Sequence, residues 1–147
     1  MATFDGDVQA AYDDVRNDKT PTNWLLLSYA NDAKDVLTLS GSGTGGLAEF
    51  TDKLRDDQAA FGYLRIIVGN DELSQRAKFV LVSWCGKEVK VMRKAKLSVH
   101  IASVKQIVKT FAVEIAASTK EDLRETEIKK LLQKAMGANY DRQTSQY

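Results

Sequence analysis

Proline, cysteine and histidine are nearly missing from this 147-residue sequence: each occurs once, as Pro21, Cys85 and His100. A lone cysteine closes no intramolecular disulfide, and one cysteine with one histidine excludes the Cys/His zinc clusters. Cys85 is therefore expected to act as a small buried hydrophobe. No stretch approaches the roughly 18 apolar residues of a membrane span, and the start shows no charged segment followed by an apolar run of signal-peptide length. A cytosolic protein with no membrane attachment is the expectation. Internal repeats and low-complexity linkers are missing too, and the length suits one domain that buries its own core. With 44% hydrophobic and 28% charged residues, the composition is that of a soluble globular domain.

What the sequence does have is unevenly spread charge. The formal net charge is only +1, yet residues 1–75 hold 13 acidic and 6 basic side chains, and residues 110–147 hold 6 of each. Between them lie Arg76, Lys78, Lys87, Lys90, Arg93, Lys94, Lys96, Lys105 and Lys109, against Glu88 alone. Such a block attracts an acidic partner if its side chains share one surface. The alternative is an ordinary solvated face.

Hydrophobic spacing gives the order of elements. Val8, Ala11, Tyr12 and Val15 line one face of a helix expected over Asp5 to Asn17. A turn around Asp18 to Pro21 leads to an apolar strand, Trp24 to Tyr29. Asn31-Asp32 supplies turn chemistry before a half-exposed strand from Asp35 to Ser40, and Leu47, Phe50 and Leu54 then suggest a short helix. Phe61 to Val68 and Ala77 to Cys85 read as an antiparallel hairpin joined by Gly69 to Arg76, with Val80, Val82 and Trp84 opposed to Phe79, Leu81 and Ser83. Ile101, Val104, Val108 and Phe111 mark a third helix whose outward stripe is Ala102, Lys105 and Lys109. Val113 to Ala117 extends that helix or forms a fifth strand, and its β-branched residues favour the strand. A final helix is capped by Ser118 and Glu121, buries Leu123, Ile128, Leu131, Leu132 and Ala135, and stops at Gly137 before a polar tail. The pattern αββαββα(β)α is that of an α/β sandwich with a mixed sheet between helices.

Three candidate chemistries arise. Gly41-Ser42-Gly43-Thr44-Gly45-Gly46 matches G-x-G-x-x-G between a strand and a helix, with Asp71 after the next strand. A dinucleotide-binding strand is buried on both faces and opens a βαβ unit, however, whereas this one alternates and closes a hairpin, so a flexible glycine loop is the ordinary explanation. His100, expected beside a helix start, has no serine or cysteine motif near it, and the carboxylates form no paired-acid site, so nothing points to catalysis. The basic block remains. It runs from Arg76 and Lys78 through a loop carrying Arg93, Lys94 and Lys96 to Lys105 and Lys109 on a helix face. Nucleic acid is the alternative ligand for such a surface, though the strands lack the aromatic, glycine and arginine pattern of an RNA-recognition motif.

Several local sequences resemble a known family. They are Ala10-Ala11-Tyr12 with Val15-Arg16, the run from Gly69 through Ser74, Arg76, Lys78 and Phe79 to Trp84, Arg93 with Ala95-Lys96, and Gly137-Ala138-Asn139-Tyr140-Asp141. Together with the element order they resemble the actin-depolymerising-factor homology (ADF/cofilin) family, and within it the coactosin group, over essentially the whole chain. The resemblance implies an α/β fold with one such domain over residues 1–137, a mixed five- to six-stranded sheet sandwiched between helices, and a flexible tail over 138–147. It implies binding to the side of actin filaments (F-actin), little or no binding to monomers, and no severing. Enzymatic activity, cofactors, metals, membrane and nucleic-acid partners are not expected, and a monomer is. The filament-contacting residues implied are Arg76 and Lys78 on the hairpin, with Lys94, Lys96, Lys105 and Lys109 before and on the third helix.

Overall fold

A computed structural model of the chain describes residues 2–31, 33–69 and 76–144, the side chains of 136–144 excepted. The elements are β1 (Thr3–Asp5), α1 (Val8–Arg16), β2 (Trp24–Tyr29), β3 (Val36–Gly43), α2 (Gly46–Asp52), β4 (Ala59–Val68), β5 (Arg76–Cys85), α3 (Val91–Ile107), β6 (Val113–Ala117) and α4 (Glu125–Thr144), with a 3-10 turn at Lys120–Leu123. The strands form one mixed sheet of order β1-β3-β2-β4-β5-β6. β1 pairs with β3, and β5 with β6, in parallel, while the inner pairings are antiparallel.

Alternation along the central strands explains the layers. Successive strand residues point to opposite faces, so an unbroken apolar run feeds two cores at once. Trp24, Leu26, Leu64, Val80, Val82 and Trp84 pack with Phe50 of α2 and Ile128 and Leu132 of α4 on one face. Leu25, Leu27, Phe61, Tyr63 and Leu81 pack with Val8, Tyr12 and Val15 of α1 and Leu97 and Val104 of α3 on the other. Gly62 sits where β4 faces Phe50, and a β-carbon there would overlap the phenyl ring.

Several expectations are corrected. Asp5 belongs to a short strand rather than the first helix: Gly6, at φ +82°, turns the chain, and Asp7 then caps α1 by accepting from the Ala10 N–H at 3.1 Å. β3 continues through Gly43, so half of the glycine run is strand rather than loop. The third helix starts at Val91, which puts Arg93, Lys94 and Lys96 on its first turns and His100 at its middle. It ends at Ile107, leaving Lys109 and Phe111 beyond it. The capping box near the end of the chain is Thr119 with Asp122, not Ser118 with Glu121. α4 runs through Gly137 to Thr144 without stopping at the glycine, and Leu131 is exposed on it. Val113 to Ala117 is a strand. Asp32, Asp71 and Ser74 lie outside the described residues.

One buried polar pair crosses the second core. His100 is buried, and its Nδ1 lies 2.7 Å from the Tyr29 hydroxyl, while Nε2 faces Asp35 Oδ2 at 3.9 Å. Burial pulls the imidazole below its ordinary 6.5, and Arg93 and Lys96 act in the same direction, against the pull of Asp35.

Two outcomes follow from this packing. Gly62→Ala should cost about 1–3 kcal/mol of unfolding free energy in a urea titration, because the Phe50 ring has to move. The second concerns pH. In the unfolded chain His100 takes up a proton first, so its contribution to stability is full above about pH 6.5 and is lost as pH falls from there through the lower folded value. Calorimetry of the wild type should show Tm falling between pH 7 and pH 5. His100→Gln, which keeps a partner for Tyr29, should show a shallower fall.

Candidate functional site

α3 has two unlike faces. Leu97, His100, Ser103 and Val104 point into the core, and the Ser103 hydroxyl accepts from the Ala2 N–H at 3.3 Å, which sets the N-terminal strand alongside the helix. With 3.6 residues per turn, burying that stripe forces Val91, Met92, Ala95, Ser98, Val99 and Ala102 outward. Val91 is 80% exposed, Met92 73% and Val99 59%. These three lie with the small Ala95 and Ala102 on the outward side of the helix. Sequence reasoning missed this stripe. The signal was Val91, Ala95 and Ala102 at i, i+4 and i+11, with Met92 and Val99 at i and i+7, hidden because the helix was expected to begin later.

Cations border the stripe, and most of them are engaged within the chain. Asp35, just before β3, takes Lys96 Nζ at 3.1 Å and Arg93 at 3.3 Å on Oδ1. Arg93 also stacks over the Tyr29 ring, 3.9 Å from its centroid, and donates to the carbonyls of Asn31 and Lys34. Its side chain is only 13% accessible. The Lys96 hydrogen bond holds the Asp35 carboxyl below the ordinary carboxylate range. On the other flank Lys105 pairs with Glu114 of β6 at 2.5 Å. Lys94 and Lys109 are exposed and carry no ion pair among the described residues.

The hairpin cations lie elsewhere. Arg76 and Lys78 stand opposite Val68 and Ile66 in the β4–β5 ladder, and by alternation they share the face of Val80, Val82 and Trp84. That is the α2/α4 side of the sheet, whereas α3 covers the opposite side. Neither carries an ion pair among the described residues. The fold thus sets Lys96 on one flank of α3 and Lys94 with Lys105 on the other, over about 16 Å of helix, leaves Lys109 just beyond its end, and sets Arg76 and Lys78 apart from all of them.

The remaining candidates are occupied by structure. Gly45 N–H, which a phosphate would need, donates to Glu49 Oε1 at 3.2 Å, and the same oxygen accepts from Trp24 Nε1 at 2.8 Å. The glycine turn is closed by the chain's own carboxylate, and the two parallel strands that α2 connects, β3 and β4, are separated by β2, antiparallel to both, rather than lying side by side as in a dinucleotide-binding βαβ unit. Cys85 is half-buried rather than buried, and burial raises its thiol pKa, the reverse of an activated nucleophile. Among the described residues no three His, Cys, Asp or Glu side chains are grouped to hold a metal, and no helix is long and apolar enough to cross a membrane.

Known proteins share this architecture. Residues 1–133 match the family described as cofilin/tropomyosin-type actin-binding protein. Coactosin of Dictyostelium discoideum is 43% identical over 135 residues, 91% of this chain and 90% of its own. The crystal structure of coactosin from Entamoeba histolytica superposes with a TM-score of 0.83 at 27% identity, covering 92% of this chain and 97% of that one. Mouse coactosin, described as an actin filament binding protein, gives a TM-score of 0.75 at 32% identity over 97% of both chains. The six-stranded mixed sheet between two helical layers and these relatives place the chain in the cofilin/tropomyosin-type actin-binding protein family, among its coactosin-like members.

Proposed function

We propose that this chain binds the side of actin filaments from the cytosol, with α3 as the principal contact, and neither severs filaments nor catalyses a reaction. The observation that carries this is the exposed stripe Val91, Met92, Ala95, Val99 and Ala102, since apolar side chains gathered on one exposed helix face favour contact with another surface. Family membership and the filament binding described for mouse coactosin name the partner. Lys94 and Lys109, exposed, supply the long-range attraction to an acidic protein surface.

Arg76 and Lys78 form a second contact. They sit on the other side of the sheet from α3, so the two contacts do not meet one flat patch on a single partner. A polymer presents neighbouring subunits to both, which is the physical reason for filament binding with little or no monomer binding. Arg76 adds the bidentate geometry that lysine lacks.

Co-sedimentation with filamentous actin, beside a gel-filtration assay with monomeric actin, tests this reading. The wild type should pellet with filaments and elute apart from monomers. Val99→Asp leaves the fold intact, because the side chain is 59% exposed, and should weaken pelleting by at least about tenfold, the loss of a central interface contact. A folded Val99→Asp protein that pellets like the wild type would sink the α3 contact. Lys78→Ala should weaken pelleting several-fold at low salt and flatten its salt dependence, since a peripheral charge acts mainly through screened attraction.

A further inference from the structure

Asp35 is sixty-one residues from Lys96 in sequence and belongs to no part of the proposed contact, yet its carboxylate touches the border of the α3 stripe. Three α3 side chains at i, i+3 and i+7, namely Arg93, Lys96 and His100, converge on it. Their dependence on it differs. Arg93 has the Tyr29 ring and two backbone carbonyls besides. Among the described residues Lys96 pairs with Asp35 alone, and its side chain is 42% accessible. The Asp35 backbone is fixed independently, since its carbonyl accepts from the Thr3 N–H at 2.9 Å in the run-up to the β1–β3 pairing.

We propose that Asp35 is an internal charge restraint on the docking helix: it withholds Lys96 from the filament and so limits the affinity and the salt dependence of the α3 contact. This rests on α3 being the filament-binding element. The helical wheel places Lys96 next to Met92 and Val99, at the rim of the stripe, where an acidic partner arrives within reach of it. While Asp35 is ionised, that partner has to compete with a carboxylate already 3.1 Å from the ammonium group. The apolar stripe then dominates binding, and the lysine contributes little. Removing the negative charge while keeping the side-chain shape releases one cation onto the rim without freeing Arg93.

Asp35→Asn tests this in the full chain, with filament co-sedimentation at low and at high salt and the wild type alongside. The variant should bind about two- to fivefold more tightly than the wild type at low salt, the range of an exposed charge pair. The advantage should vanish at about 0.3 M salt, as screening shortens the reach of the charge. Adding Lys96→Gln to Asp35→Asn should abolish the gain, which separates release of this lysine from a general loosening of the helix. Equal or weaker binding by a folded Asp35→Asn protein at low salt, or a gain that survives Lys96→Gln, overturns the proposal. Should Asp35→Asn fail to fold, the single variants Lys96→Gln and Lys94→Gln decide. The restraint requires the Lys96 change to cost less affinity than the Lys94 change, and equal costs overturn it. A wild type that stays in the supernatant would instead defeat the filament-binding reading itself, so the two failures are distinguishable.

Discussion

Burial on both faces of three strands governs this molecule. β2, β4 and β5 carry bulky side chains in both directions, and a sheet so built is stable only when helices seal each side. α2 and α4 close one side, α1 and α3 the other. The rotation of α3 about its own axis is then not free, because Leu97, His100 and Val104 must reach the core. What faces water on α3 is the remainder of that requirement, and in this sequence the remainder is apolar at its centre and cationic at its borders.

Charge counted along the chain and charge presented at the surface are different quantities here. The basic stretch from Arg76 to Lys109 has one acid within it, but the fold brings acids from outside to meet it. Asp35 comes from the β2–β3 connection and Glu114 from β6, and each occupies a lysine on one flank of the helix. Two more cations lie across the sheet on β5. The strong positive field suggested by the linear block is thereby divided and partly cancelled, leaving a surface on which short-range apolar contact carries more weight than long-range attraction.

Much of the architecture was legible in the sequence where burial was two-sided or strictly periodic. The runs at Trp24 to Tyr29, Phe61 to Val68 and Ala77 to Cys85 announced the central strands, and Val8, Tyr12 and Val15 announced α1. β1 was not legible, since three residues, Thr3 to Asp5, are too few for alternation to show. The first half of α3 was hidden for a different reason. Its first turn carries Arg93 and Lys94 against the helix dipole, its N-cap Lys90 offers no side-chain acceptor, and Val91 and Met92 face outward where periodicity expects polar residues. Gly137 misled in the opposite sense, because a glycine inside a helix costs only about 1 kcal/mol and so need not end it. The same two effects decided the site. Arg76, Lys78 and Lys94 stood out as charges, whereas most of the apolar stripe fell in a stretch read as loop and the place of Asp35 depended on contacts some sixty positions away.

The two parallel pairings lie at the edges of the sheet. Thr3 pairs with Val36 and Val80 with Val113, each across thirty-three positions, while β4 and β5 meet as a hairpin. The antiparallel β2–β4 pairing spans more, forty positions at Trp24 and Leu64, so loop length does not set the edges apart; what does is that β1 and β6 are three and five residues long and are bonded along one side alone. In the native state such edges are the parts of the sheet expected to open most readily. α3 lies inside the crossover that connects β5 to β6. When β6 peels away, Lys105 loses its Glu114 contact, while Thr110, accepting from the Tyr63 hydroxyl at 2.6 Å and donating to that of Tyr12 at 3.1 Å, still ties the end of the proposed docking helix to β4 and α1.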